Sequence, residues 1–170
     1  MLRRIIVTSL LALVLTGCVL QSKTPLIAAN AGEALLDSYG LTFVSYGLSN
    51  GKWKKDNDVL TFTPDGQHYK ITGGKDTLDV AFKKLDGNWW LLQAEETGKQ
   101  PVYSLVDAQK DELFLYPMAC KSLKDAGAYE AWVEFKGDDC TIKEGADTAA
   151  LFKAFAADPG PQTTRIVPKG

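Results

Sequence analysis

From Leu41 onward apolar and polar residues alternate with period two for about a hundred residues, and no other feature of the chain restricts its fold as tightly. A side chain changes face at every step of a strand, so this rhythm builds strands with one buried face. Leu60 and Phe62 alternate with Val59, Thr61 and Thr63, Pro64-Asp65-Gly66 supplies a turn, and Tyr69 and Ile71 continue beyond it. Leu78, Val80 and Phe82 alternate with Asp79, Ala81 and Lys83, and Asp86-Gly87-Asn88 then turns the chain into Trp89-Trp90-Leu91-Leu92-Gln93. Asp-Gly between alternating runs is a strong hairpin signal. A third hairpin is expected from Val102–Val106 and Leu113–Tyr116 around the polar 107–111, and a fourth from Tyr129–Phe135 through Lys136-Gly137-Asp138-Asp139 into Cys140-Thr141-Ile142.

Consecutive hairpins make an antiparallel meander, which must close or be covered to bury one face. The expected fold is therefore mainly β: a barrel or strongly curled sheet with a C-terminal helix packed on it, α+β by content at most. Trp89–Leu92 and Leu113–Tyr116 are apolar on both faces, so part of the outside must also be covered. For the helix, Asp147 is placed to cap, Leu151, Phe152 and Phe155 form one stripe, and Asp158-Pro159-Gly160 stops it. A short helix is expected within the Ala-rich 26–39, and Pro161–Gly170 reads as tail, with Arg165-Ile166-Val167 able to pair at an edge. No repeat at a solenoid or propeller period is present.

The first residues carry a different signal. Arg3 and Arg4 precede an apolar run from Ile5 to Leu15, too short for the roughly 20 residues that cross a bilayer as a helix. The run ends at Leu15-Thr16-Gly17-Cys18, which resembles the lipobox of bacterial lipoproteins. That resemblance implies cleavage before Cys18 and a diacylglyceryl thioether on its sulfur, with each buried methylene contributing about 0.8 kcal/mol of membrane attachment. It divides the chain into a signal peptide (1–17), a lipidated tether (18–25, punctuated by Pro25) and a single β-rich domain (26–170). Val19, not aspartate, follows the cysteine. In Gram-negative lipoproteins that implies the outer membrane, facing the periplasm. Taking Arg3 and Arg4 from the 19 basic residues leaves 17 against 21 acidic ones, a net charge near −4. Such a balance argues against nucleic acid and anionic lipid heads as general partners.

In an oxidising compartment the remaining cysteines, Cys120 and Cys140, are expected to pair. Metal ligation has little to work with, since there is no C-x-x-C and His68 is the single histidine. No cofactor or metal is expected. His68 sits just after a turn and is expected to face solvent, so Ser-His-Asp or Cys-His chemistry lacks a placed partner. Gly73-Gly74-Lys75-Asp76 lacks the rest of a phosphate-loop pattern, and the carboxylates at Asp107, Asp111, Glu112, Asp138 and Asp139 lack calcium-loop spacing.

Trp89 and Trp90 must point to opposite faces of one strand, one into a core and the other free to stack on a ligand or partner together with Trp53, Tyr103 and Trp132. Gly51-Lys52-Trp53 resembles the G-x-W element that opens the first strand of lipocalins, a family whose barrel ends in a helix. Here a strand-like run, Leu41–Leu48, precedes the motif, and Arg165 follows the helix instead of preceding it. The function expected is a non-enzymatic binding module that docks on an envelope partner; the alternative is a lipocalin-like carrier of a small apolar ligand.

Overall fold

The computed structural model describes residues 19–73 and 76–170. The expected leader and the lipobox-like Leu15-Thr16-Gly17-Cys18 lie outside that range, as do Gly74 and Lys75. Ten strands and two helices follow a 3-10 turn at Leu35–Ser38: β1 (Thr42–Ser49), β2 (Lys52–Asp65), β3 (His68–Gly73), β4 (Asp76–Asp86), β5 (Trp89–Glu96), β6 (Val102–Ala108), β7 (Leu113–Pro117), α1 (Cys120–Ala126), β8 (Val133–Lys136), β9 (Asp139–Ile142), α2 (Thr148–Ala157) and β10 (Thr164–Pro168). Eight of the strands close into an antiparallel barrel in the order β1-β10-β7-β6-β5-β4-β3-β2, and β8 and β9 pair as a separate hairpin.

Three of the expected hairpins are present, as β2–β3, β4–β5 and β6–β7. The fourth is shorter than expected: β8 begins only at Val133, because Tyr129 to Trp132 form a turn in which Trp132 and Val133 donate to the Tyr129 carbonyl. The sequence 161–170 is no tail. Its strand β10 lies between β1 and β7 and closes the barrel. The helix expected in 26–39 reduces to the single 3-10 turn, since the rest of that segment spends its backbone polar groups on the barrel.

The barrel interior is a packed core. Leu60, Phe62, Tyr69, Ile71, Leu78, Val80, Phe82, Leu92, Ala94, Val106, Leu113, Leu115 and Ile166 point inward from successive strands. Phe43, Phe62, Tyr69 and Phe82 follow one another edge to face, with ring centroids 5.5, 6.3 and 5.9 Å apart. Eight strands leave an interior just wide enough for side chains to fill, and these rings fill it. One end is plugged by Leu35 and Leu36 of the 3-10 turn, tied down by the Tyr39 hydroxyl, which donates to the Gln109 carbonyl at 2.5 Å. Tyr69 reaches the plug with its hydroxyl 3.2 Å from Asp37. Burial, and next the Asp37 carboxylate, push its pKa up to about 12.

A second core lies outside the barrel, over β4, β5 and β6. Ala81, Leu91, Tyr103 and Leu105 project outward and meet Leu20 and Ile27 of the N-terminal segment, Cys120 and Leu123 of α1, Val133, Cys140 and Ile142 of the β8–β9 hairpin, and Leu151, Phe152 and Phe155 of α2. This is the cover that the two-sided apolar strands demand: β5 is buried on both faces from Leu91 to Ala94. Helix α2 starts where the Asp147 carboxylate accepts from the Ala150 N–H at 3.0 Å, and its Phe152 ring lies 6.1 Å from that of Tyr103. Cys120 and Cys140 are disulfide-bonded with their Cα atoms 5.4 Å apart, joining the start of α1 to β9. Closing a 20-residue separation stabilises the fold by about 3 kcal/mol in the chain-entropy picture.

The segment expected to be a loose tether is instead part of this layer. Val19 and Leu20 are buried; the Leu20 N–H donates to the Met118 carbonyl, and the Tyr103 N–H donates back to Leu20. The Gln21 N–H donates to Cys140, and Gln21 accepts from Ile142. Where β6 and the chain beyond β7 diverge, residues 19–21 fill the gap in the hydrogen-bond ladder, which an apolar Val19-Leu20 pair can do and a solvated tether could not.

Candidate functional surface

Four parts of the molecule bear on function: the lumen, the expected aromatic platform, a hollow around His68, and the stretch of barrel wall outside the second layer. The lumen is occupied by packed side chains, and these line neither the hollow beside His68 nor the one between residues 22–26 and 142–148.

The five aromatic candidates do not converge. Tyr103 is completely buried beneath the N-terminal segment, sharing a hydrogen bond of 2.6 Å with Ser22. Trp89 faces outward and packs edge-on against Tyr116 at 5.3 Å, whereas Trp90 packs against the lumen core with the Lys84 ammonium 4.7 Å above its ring. Trp89 and Trp90 thus occupy opposite faces. Trp132 packs beside Tyr129 at 6.5 Å, under α2. Trp53 stands apart, on the outer wall, with its ring 6.0 Å from Phe114. None of the five lines the hollow beside His68 or the one between residues 22–26 and 142–148.

His68 departs from the solvated position expected for it. It does face outward from β3, but residues 28–32 cross over it and leave it 8% exposed. Its Nδ1 lies 2.6 Å from the Asp79 carboxylate on β4 and its Nε2 lies 3.1 Å from the Ala28 carbonyl. Both ring nitrogens are thereby engaged in holding the crossing segment on the barrel. Gly32 completes the fit, because a Cβ there would stand 2.1 Å from the Gln67 carbonyl oxygen. Nearby, the buried Gln93 amide accepts from the Leu26 and Ile27 N–H groups at 2.8 and 2.9 Å and donates to the Ile27 carbonyl at 3.1 Å. Between this strap and β3–β5 lies a shallow hollow of about 560 Å³, lined by Ile27, Ala28, His68, Lys70, Asp79 and Glu95 among others. A smaller one of about 290 Å³ separates residues 22–26 from 142–148. Among the described residues no group of three His, Cys, Asp or Glu side chains is placed to hold a metal ion.

The wall formed by β2, β1, β10 and β7 lies outside the second layer. Pairing aligns Lys55, Tyr46, Arg165 and Phe114 in one outward row, Val59, Val44 and Val167 in another, and Trp53 with Leu48 nearer the β1–β2 turn. Leu48 and Val59, 42% and 46% exposed, are the large apolar side chains most open to solvent among the described residues. Arg165 forms an ion pair with Glu112 and lies 5.3 Å over the Tyr46 ring, so the cation is held flat on the wall. The β1–β2 turn places Asn50 and Gly51 at φ of 52° and 72°, the Asn-Gly geometry that matches the twist of a two-residue hairpin. Near its base β2 carries extra residues opposite Ser45, and this irregularity turns Asp56 toward the buried Ser45 hydroxyl, 2.7 Å away.

Sequence reasoning missed this surface except for Trp53. The signal was present in Asn50-Gly51 between the alternating Tyr46/Leu48 and Trp53/Lys55, a hairpin hidden by attention to Gly51-Lys52-Trp53 as an opening motif. In the folded chain Trp53 belongs to the second barrel strand and faces out, and Arg165 lies against Tyr46. Comparison of the chain with protein-family models, with curated proteins and with solved structures finds no match.

Proposed function

We propose that this chain is a lipid-anchored protein of the bacterial cell envelope that works through its outer surface as a docking module and has no enzymatic activity of its own. The observation that carries the choice between docking and carriage is the filled lumen: interlocked Phe43, Phe62, Tyr69 and Phe82 occupy the space a carried ligand would need. A carrier needs an enclosed volume of hundreds of Å³; a docking module needs a rigid body with an unpartnered face, and the β2-β1-β10-β7 wall is such a face. The absence of catalysis is argued from His68, whose two ring nitrogens face Asp79 and a backbone carbonyl and, among the described residues, have no serine or cysteine hydrogen-bonded to them. Anchorage rests on Leu15-Thr16-Gly17-Cys18, and the outer membrane on Val19 after the cysteine.

Native mass spectrometry of the protein extracted from envelopes tests this function. The expected mass is that of the acylated chain from Cys18 with no further small molecule. A lipid-sized adduct that is released only on unfolding would overturn docking in favour of carriage.

A further inference from the structure

The direction of each barrel strand fixes which turns share an end. β6 starts, and β7 finishes, at the end where Val19 pairs with Ala119 and Gln21 with Val102. β10 runs away from that end, and β1, antiparallel to β10, runs back to it. The β1–β2 turn at Asn50-Gly51 therefore projects from the same end of the barrel at which the chain arrives from Cys18. Because Val19 is already buried and paired, one peptide link separates an acyl-carrying Cys18 from the folded body. No slack remains to hold that end away from a bilayer.

What the end presents fits such a neighbour. Leu48 and Trp53 pair across the hairpin beside the turn, with Leu48 exposed and Trp53 half-buried against Phe114. Lys52, Lys54 and Lys55 are all exposed around them. Of the described carboxylates at this end, Asp56 accepts from the Ser45 hydroxyl and Glu96 pairs with Lys99 at 2.7 Å. At the opposite end the turns carry Asp65, Asp86, Asp107, Asp111 and Glu112, but Asp65 and Glu112 are ion-paired with Lys70 and Arg165, and Lys84, Lys110 and Lys169 stand there too. The far end is thus charge-balanced, whereas the hairpin at the anchor end is locally basic and aromatic although the chain is net negative. Tryptophan settles at the headgroup level, and lysines reach the phosphates while their stems cover apolar surface.

We propose that the β1–β2 hairpin is a membrane-contacting element, with Leu48 and Trp53 seated in the interfacial layer of a phospholipid bilayer and Lys52, Lys54 and Lys55 against its phosphates. The inference rests on lipid anchorage at Cys18 and adds to it an orientation: the barrel stands on its hairpin with the β2–β3, β4–β5 and β6–β7 turns pointing away. Anchor and hairpin then hold the body at two points and stop it from swinging about one lipid.

The test uses the full-length protein expressed in a bacterium with labelled palmitate, purified and reconstituted in vesicles of phosphatidylethanolamine and phosphatidylglycerol that contain brominated phospholipid. Tryptophan quenching is compared for the wild-type protein and for Trp53→Phe, with Leu48→Asp as a second variant and near-ultraviolet circular dichroism as the check on folding. The expected result is palmitate incorporation together with quenching that is reduced in Trp53→Phe, because Trp89 and Trp90 lie beside the β4–β5 turn at the opposite end, and weakened by Leu48→Asp. Incorporation with quenching that is absent, or unchanged in Trp53→Phe, overturns the hairpin contact and leaves the anchor standing. Failure to incorporate palmitate overturns the anchor and the contact together.

Discussion

The two cores of this protein are built by opposite rules. The lumen core is assembled almost wholly from neighbours in sequence: β2 to β7 each pair with the next strand, and their inward residues meet through short turns. The outer core is assembled from four pieces far apart in the chain, namely residues 19–33, α1, the β8–β9 hairpin and α2, and it is held by a disulfide and by buried side-chain bonds to backbone. A barrel alone buries one face of each strand. The outer layer is the solution for β4–β6, whose second face is also apolar, and it covers one side of the barrel while β2, β1 and β10 stay outside it.

The comparison sharpens into mutations. Phe62 touches Phe43 on one side and Tyr69 on the other, so Phe62→Ala opens the lumen core at its centre and is expected to cost about 3–5 kcal/mol, read as a lowered midpoint in urea unfolding. Loss of both expected consequences, with stability unchanged and no cavity able to take up a small apolar probe, would mean that the lumen is less tightly filled than these contacts require. A smaller, local effect is expected in the outer layer. Gln93→Leu removes the acceptor of the Leu26 and Ile27 N–H groups and the donor to the Ile27 carbonyl, costing about 2–3 kcal/mol for groups left buried without partners. Because the strap can lift without opening the barrel, limited proteolysis of that variant should cut within residues 23–33 first. Cleavage spread evenly over the chain would show the two cores to be one cooperative unit.

The same contrast explains what the sequence reveals. Period-two alternation is a local signal, so the barrel strands, the turns at Asp65-Gly66 and Asp86-Gly87 and the apolar-both-faces warning at Trp89–Leu92 are legible residue by residue. Asp147 and the Leu151/Phe152/Phe155 stripe announce α2 in the same way. The outer layer depends on partners distant in sequence. Nothing near Val19 tells that Met118 and Cys140 will receive its neighbours' N–H groups, and nothing near His68 tells that Ala28 will lie across it. Polar composition made residues 18–25 read as a tether, whereas the backbone groups of 19–22 complete a ladder. Strand β10 was legible as a short apolar run in Arg165-Ile166-Val167, but its closing role comes from the gap between β1 and β7, which exists only once the barrel has curled.

Whether the chain is folded from its first residue after Cys18 decides both the outer layer and the close approach to a membrane that follows from it. Hydrogen exchange at the Leu20 and Gln21 amides, compared with Tyr103 at the start of β6, measures this directly. Protection of Leu20 and Gln21 comparable to that of Tyr103 is the expected outcome, since their N–H groups donate to Met118, Cys140 and Leu20 respectively within the folded body. Exchange of Leu20 and Gln21 at the rate of an unstructured peptide, with Tyr103 protected, would restore a flexible tether and contradict the account.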